Sequence, residues 1–283
     1  MESLRSYLAQ SGEGTRWRPT PGVVVVGSGK GGIGTSTVAT LLALVASQDG
    51  RKVLLVDGDE GVGSLHHLLG LPDGGPGLGA LRDGGLDPAD LVRGITGSLS
   101  LLPGGGGGVE ATLATALGER RALLRRVAGL YEDYHLVVVD GGSHLGSVLA
   151  ACYVGAERLL ALTSPDRVSM AATYALLKVG RERFPALPME VVVNHGQGVG
   201  AEEVFQMMAQ AGERFLGLKV AWGGSVPRDA TLAAVHEKGE PLLALPPSSP
   251  ALDAAGALHG RLASEQLRTA GEAGGTIPFS ASP

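Results

Sequence analysis

The amino-acid sequence predicts an α/β fold, a doubly wound and mostly parallel sheet flanked by helices, and three observations carry that expectation. Three runs of strand length, Gly22-Val-Val-Val-Val-Gly27, Lys52-Val-Leu-Leu-Val-Asp57 and His135-Leu-Val-Val-Val-Asp140, are apolar throughout rather than at every second residue, as in strands buried on both faces. Two of these runs end in aspartate and the other in a glycine cluster, so polar and flexible residues gather at the strand ends that line the ligand crevice of an open α/β sheet. The 283-residue chain is 44% apolar and 18% charged, which suits one large globular domain.

Taken in order, residues 1–21 form an N-terminal arm. Met1–Gln10 can place Leu4, Tyr7 and Leu8 on one helical face, and Ser11-Gly-Glu-Gly with Pro19 and Pro21 makes a linker. The domain is expected over 22–268, with a polar tail at 269–283. After the first strand and its glycine cluster, Val38, Leu41, Leu42 and Val45 recur at helical spacing until Asp49-Gly50. A helix is expected at Val62–Leu69, behind the second strand. Leu71–Gly108 is punctuated by Gly and Pro, with a helical piece at Pro88–Val92, a strand at Leu99–Leu102 and a glycine run at 104–108. Val109–Leu130 reads as a helix carrying Arg120, Arg121, Arg125 and Arg126; such a cluster suits a solvated face or a site for phosphate or a partner. Beyond the third strand come strands at Arg158–Thr163 and Met189–Asn194 around a helix at Arg167–Arg183. Leu216–Trp222, with Gly223–Asp229 after it, is expected to close the sheet, and Pro250–Arg268 to form the last helix.

The chemistry concentrates in Gly27-Ser28-Gly29-Lys30-Gly31-Gly32-Ile33-Gly34-Thr35-Ser36-Thr37, a glycine-rich loop between a buried strand and a helix. Such a loop turns backbone N–H groups and the positive end of the helix dipole toward an anion, and a hydroxyl at Ser36 falls where Mg²⁺ takes an oxygen ligand. Gly29 to Ser36 fits the phosphate-loop pattern G-x-x-x-x-G-K-[ST] except at Thr35, where the pattern has the lysine that reaches the β and γ phosphates. Asp57 at the end of the second strand and Asp59 just after it are candidates for Mg²⁺ and for positioning water, a cap of the helix at Val62–Leu69 being the lesser alternative. Asp140 ends the third strand as a carboxylate that holds Mg²⁺ through water.

Other classes are disfavoured. A net charge of −5 does not attract nucleic acid. The one cysteine, Cys152, allows neither a disulfide framework nor a two-cysteine site within the chain. The 7 histidines show no metal-ligand spacing. No apolar stretch reaches membrane-spanning length and the first residues lack a signal core, so the expectation is a cytoplasmic protein.

Lys30-Gly-Gly-x-Gly directly after a hydrophobic strand resembles the deviant phosphate loop of the MinD/ParA ATPases, in which this early lysine reaches across a dimer interface to the partner's nucleotide. Lysine stands at only 5 positions of the chain. Tyr174-Ala-Leu-Leu-Lys178, Thr163-Ser-Pro-Asp166, Val193-Asn194, Ala201-Glu-Glu-Val-Phe205, Arg214-Phe-Leu-Gly217, Gly224-Ser-Val-Pro-Arg-Asp229 and Ala233-Ala-Val235 are similar to the FlhG branch of that group, also called YlxH or FleN, which controls flagellar number and placement. The resemblance implies that Gly29, Lys30, Gly31, Gly32, Ile33, Gly34, Thr35, Ser36 and Thr37 cradle the phosphates of ATP. It further implies that Lys30 acts in trans, Ser36 and Asp57 serve Mg²⁺, Asp59 positions the attacking water, Asp140 is the Walker B residue, and Asn194, Pro227 and Asp229 contact adenine.

The chain departs from the pattern at Thr35, at Asp140-Gly-Gly-Ser-His144, and at Ala171-Ala172-Thr173, where an aspartate is usual. A basic amphipathic C-terminal helix of the membrane-touching kind is poorly developed: Asp253, Arg261, Glu265 and Arg268 mix the two signs. An N-terminal segment that stimulates a partner GTPase survives only as Leu4-Arg5. The resulting expectation is an ATP- and Mg²⁺-dependent homodimeric switch with slow hydrolysis and flagellar-assembly partners. A non-catalytic scaffold and a ParA-like partition ATPase are the alternatives, and the lone cysteine argues against an iron–sulfur carrier.

Overall fold

The computed structural model describes residues 20, 22–58, 63–105, 117–196 and 199–273. Val23–Ser28 forms β1 and Thr35–Gln48 forms α1; Val53–Asp57 is β2 and Leu65–Leu68 the single turn α2. Short 3₁₀ pieces at Leu78–Asp83 and Pro88–Leu91 lead to β3 (Arg93–Gly94) and β4 (Leu99–Leu102). Then come α3 (Leu117–Val127), β5 (Leu136–Asp140), α4 (Leu145–Tyr153), β6 (Arg158–Thr163), α5 (Arg167–Arg183) and β7 (Met189–Asn194). The chain closes with α6 (Val199–Leu216), β8 (Ala221–Val226), α7 (Ala230–Glu237) and α8 (Pro250–Ala273).

The 8 strands lie in the order β3-β4-β2-β5-β1-β6-β7-β8. All pairings are parallel except β3 with β4. Strand alternation divides the core between two faces. Val23 and Val25 pack with α3, α4, α5 and α6, while Val24 and Val26 pack with α1 and α8. Both faces are covered, so β1 is buried at every position and apolar from Val23 to Val26, which is why the runs lack a polar phase. The chain leaves β1 toward β2 on one side and later returns to β6 on the other, which puts the switch point of the sheet beside β1.

At the strand N-termini, charge is buried in a closed network. Arg158 Nη1 is 2.6 Å from Glu190 Oε1 and also meets Glu265, and Arg261 Nη2 lies 2.5 Å from Glu190 Oε2. This ties β6 and β7 to the second half of α8.

Several boundaries differ from the sequence expectation. Leu216–Trp222 is not a strand: Leu216 ends α6, Gly217 turns at φ 56°, and the N–H of Leu218 closes back onto the Gly212 carbonyl at 3.1 Å. The strand begins at Ala221 and runs through the glycines, with a bulge that pairs Val191 with Trp222 and Val192 with Gly224. A Cβ on the skipped Gly223 would lie 2.7 Å from Val192 Cγ2 and 2.9 Å from the Val191 carbonyl oxygen, so the bulge requires glycine. The helix expected at Val62–Leu69 contracts to α2, and the one expected at Val109–Leu130 gives way at Ala128–Asp133 to 3₁₀ geometry. The last helix extends past Arg268 to Ala273. The arm helix at Met1–Gln10, the glycines at 106–108 and Asp59 lie outside the described residues. Among the described residues no helix is long and apolar enough to cross a membrane.

Candidate functional site

The C-terminal ends of β1, β2 and β5 open into a cleft of about 830 Å³ lined by Gly32, Gly34, Thr35, Ser36, Thr37, Asp57, Asp140, Ser143, His144 and Arg120 among others. Its first wall is the loop after β1. Gly34 has φ 87° and serves as the residue before α1, a conformation that favours glycine, and the first α1 turn (Thr35, Ser36, Thr37) faces the cleft. Gly29 is required by proximity rather than torsion: a Cβ there would lie 2.2 Å from the Ala172 carbonyl oxygen of α5.

Thr35 occupies the lysine position of the motif, and its side chain is buried. Its hydroxyl donates to Ser28 Oγ at 2.8 Å, and Ser28 in turn donates to the Lys30 carbonyl at 3.0 Å. The loop is thus braced by a short hydroxyl relay, which a lysine at this position would not form. Lys30 itself is not among the cleft lining; its Nζ lies 3.3 Å from Asp166 Oδ1, at the start of α5. The hydroxyl of Ser164, the backbone N–H and hydroxyl of Ser169, and Lys30 together hold the Asp166 carboxyl well below the usual carboxylate range.

The floor is acidic. Asp57 and Asp140 are paired neighbours at the ends of β2 and β5, and both are buried. Asp57 Oδ2 accepts from the N–H groups of Ser64 (2.8 Å) and Leu65 (3.1 Å), so it anchors α2, and Asp140 Oδ1 accepts from Gly142 N–H at 2.9 Å. The Asp140 main chain continues the frame, since its carbonyl accepts from Gly58 N–H and the Gly142 carbonyl accepts from Ser28 N–H. The hydroxyl of Ser36 with the carboxylates of Asp57 and Asp140 forms an all-oxygen donor set on one cleft, which fits a hard cation such as Mg²⁺ that keeps part of its water.

The opposite wall is the first turn of α4 (Leu145, Gly146, Ser147), a second helix N-terminus directed at the cleft, together with Arg120 from α3. Ser143, Ser147 and Arg120 carry no pattern that singles them out in the sequence; only the packing of α3 on α4 brings the arginine there.

Of the residues the resemblance assigned to adenine, none lines this cleft. Asn194 is buried, with Nδ2 donating to the Ile33 carbonyl at 2.6 Å and Oδ1 accepting from His195 N–H, so it steadies the loop from behind. His195 follows at φ 60°, the one non-glycine residue with positive φ among those described. Asp229 caps α7 and reaches α8, accepting from Thr231 N–H, Ser249 Oγ and Ala251 N–H, while Pro227 precedes it at the end of β8. Cys152 lies inside α4, fully buried, and burial pushes its thiol pKa up.

The chain is similar to known proteins. The ParA family, described as an NUBPL iron-transfer P-loop NTPase, matches residues 20–96. The antiactivator FleN of Pseudomonas aeruginosa is 24% identical over 218 residues, covering 76% of this chain and 77% of FleN. The flagellum site-determining protein YlxH of Helicobacter pylori is 29% identical over 158 residues, 55% of this chain and 52% of that one. Among solved structures, the septum site-determining protein MinD of Pyrococcus horikoshii, complexed with Mg-ADP, superposes with a TM-score of 0.71 at 22% identity, covering 87% of this chain and 99% of that one. The strand order and these likenesses agree on the architecture: the chain has the mostly parallel, helix-flanked sheet of the MinD/ParA P-loop NTPases and is similar in sequence to FleN and YlxH.

Proposed function

We propose that this protein binds ATP with Mg²⁺ in the cleft after β1 and acts as a nucleotide-dependent homodimeric switch of the FlhG type, regulating flagellar number or placement, with slow hydrolysis. The observation that supports it best is the convergence of the first turn of α1, Ser36, Asp57 and Asp140 on one cleft. The flagellar output rests on the similarity to FleN and YlxH.

In this reading the loop N–H groups of Gly32, Gly34 and Thr35 hold the phosphates, and Ser36, Asp57 and Asp140 place Mg²⁺, which when bound would draw charge from the β and γ phosphate oxygens. Asp59, outside the described residues, orients the attacking water. Lys30 leaves Asp166 to reach the nucleotide of a second subunit, so dimer formation exchanges an exposed intramolecular ion pair for one with phosphate. Asn194 acts on the loop, and Pro227 and Asp229 shape the base side through β8 and α7. Thr35 withholds one charge from the transition state, the reason for expecting slow turnover.

The test is phosphate release measured together with light-scattering mass. The wild type is expected to dimerise with Mg-ATP and turn it over slowly, Lys30→Ala to lose both, and Thr35→Lys to hydrolyse faster. A wild type that neither binds nor turns over ATP would overturn the reading. A second reading, a scaffold that binds nucleotide without hydrolysis, is favoured by the Thr35–Ser28 relay; ATP-dependent dimers without phosphate release, unchanged in Asp59→Ala, would select it. An iron–sulfur carrier role is disfavoured because the only cysteine is enclosed in α4.

A further inference from the structure

The phosphate loop of this chain brings no cation of its own to the cleft. At the motif lysine position Thr35 turns its hydroxyl to Ser28, and Lys30 is drawn aside to Asp166. The floor adds two buried carboxylates, Asp57 and Asp140. A triphosphate entering such a site meets negative charge below it, and backbone dipoles are its main counterweight. Among the described residues, one Lys or Arg side chain lines the cleft, and it is Arg120.

Its position is built rather than incidental. α3 packs along α4, and Arg120 Nη1 donates to the hydroxyl of Ser147, a buried residue in the α4 turn that itself lines the cleft. Neighbouring arginines of α3 are engaged elsewhere: Arg121 lies over the Tyr153 ring, 4.6 Å from its centroid, and Arg126 donates to the carbonyls of Leu81 and Leu86. Of the cluster that resembles a solvated face in the sequence, Arg121 and Arg126 bind the fold, Arg125 is exposed, and Arg120 faces the site. A guanidinium is suited to the task, since its planar fork engages two phosphate oxygens at once and stays charged at any physiological pH.

We propose that Arg120 is the phosphate-binding cation of this site, contacting the β/γ phosphates of a nucleoside triphosphate and supplying from α3 the charge that the loop lacks at Thr35. The assignment rests on the reading of the cleft as an ATP site, and the experiment keeps the two apart. Fluorescent N-methylanthraniloyl ATP and ADP are titrated with Mg²⁺ into the full chain and its variants, with circular dichroism as the check on folding. Arg120→Ala is expected to weaken ATP by about tenfold or more, and ADP by less, as befits a lost charge-assisted contact to the terminal phosphates. Arg120→Lys retains most of the affinity. Arg120→Gln, which can still bond Ser147, behaves like Arg120→Ala and separates lost charge from lost packing. Arg121→Ala, on the same helix, leaves ATP binding at the wild-type level. Thr35→Lys restores affinity in the Arg120→Ala background and raises it less in the wild type, because the two cations substitute for each other. If the wild type binds ATP and folded Arg120→Ala and Arg120→Gln bind it equally well, the assignment is overturned while the ATP reading stands. If the wild type binds no nucleotide, both fall.

Discussion

At the N-terminal edge of the sheet, Glu190 and Arg158 are buried against Arg261 and Glu265, and each charge has an opposite charge in contact. At the C-terminal edge Asp57 and Asp140 are buried as well, side by side, in an open cleft whose lining among the described residues holds one arginine. The same sheet thus carries a neutralised network that fastens α8 to β6 and β7, and a concentration of negative charge that a cation and a phosphate chain would complete. The contrast separates a buried network whose charges are matched from a pair of buried carboxylates that stand side by side at a cleft.

The largest effect is expected at the closed end. Glu190→Ala removes the carboxylate that Arg158 and Arg261 share and leaves Glu265 as their common partner, so it should cost about 2–3 kcal/mol, read from urea unfolding, the penalty of losing charge-assisted hydrogen bonds from a buried guanidinium. A loss under about 1 kcal/mol would show the network to be solvated and the contrast false. At the open end, Asp140→Asn should do the reverse. The amide oxygen still accepts from Gly142 N–H and the repulsion with Asp57 is relieved, so the unfolding midpoint stays or rises slightly, while the Mg²⁺-dependence of nucleotide binding is lost. Marked destabilisation by Asp140→Asn would make that carboxylate structural.

The smallest effect concerns Asp229, where the cleft side of the sheet borrows a carboxylate for structure. Burial raises its pKa, but the hydroxyls of Ser249 and Thr231 and the N–H groups of Ala251 and Leu232 outweigh this and hold it below the usual carboxylate range. A depressed native pKa contributes stability above the unfolded value of about 3.9 and loses it as pH falls through the native one. Stability should therefore be flat in this group above about pH 5 and decline below about pH 4, and Asp229→Asn should flatten that acid limb in urea titrations run across the range.

The parallel core was readable because burial on both faces writes itself as uninterrupted Val and Leu in β1, β2 and β5, and the ends of β6, α5 and β7 coincide with their sequence limits. β8 was misplaced for the complementary reason. It lies at the sheet edge with Ala221 exposed and two glycines inside, so its propensity is poor and tertiary pairing with β7 decides it. α4 is buried along most of its length and shows no polar phase to mark it as a helix. In the site, the loop and both strand-end aspartates follow from spacing alone. Arg120 does not, because nothing local distinguishes it from Arg121, Arg125 and Arg126; helix packing selects it.

Cys152 is the only thiol in the chain and is completely enclosed in α4, with its ionisation pushed up by burial. Toward maleimides and other thiolate-seeking reagents the native protein therefore behaves as though it contained no cysteine. A single cysteine introduced at Val168, 66% exposed in the first turn of α5 and two residues from Asp166, would be the sole site to take a dye or spin label. Subunits meeting near Lys30 would then report their approach optically, in an otherwise unmodified sequence.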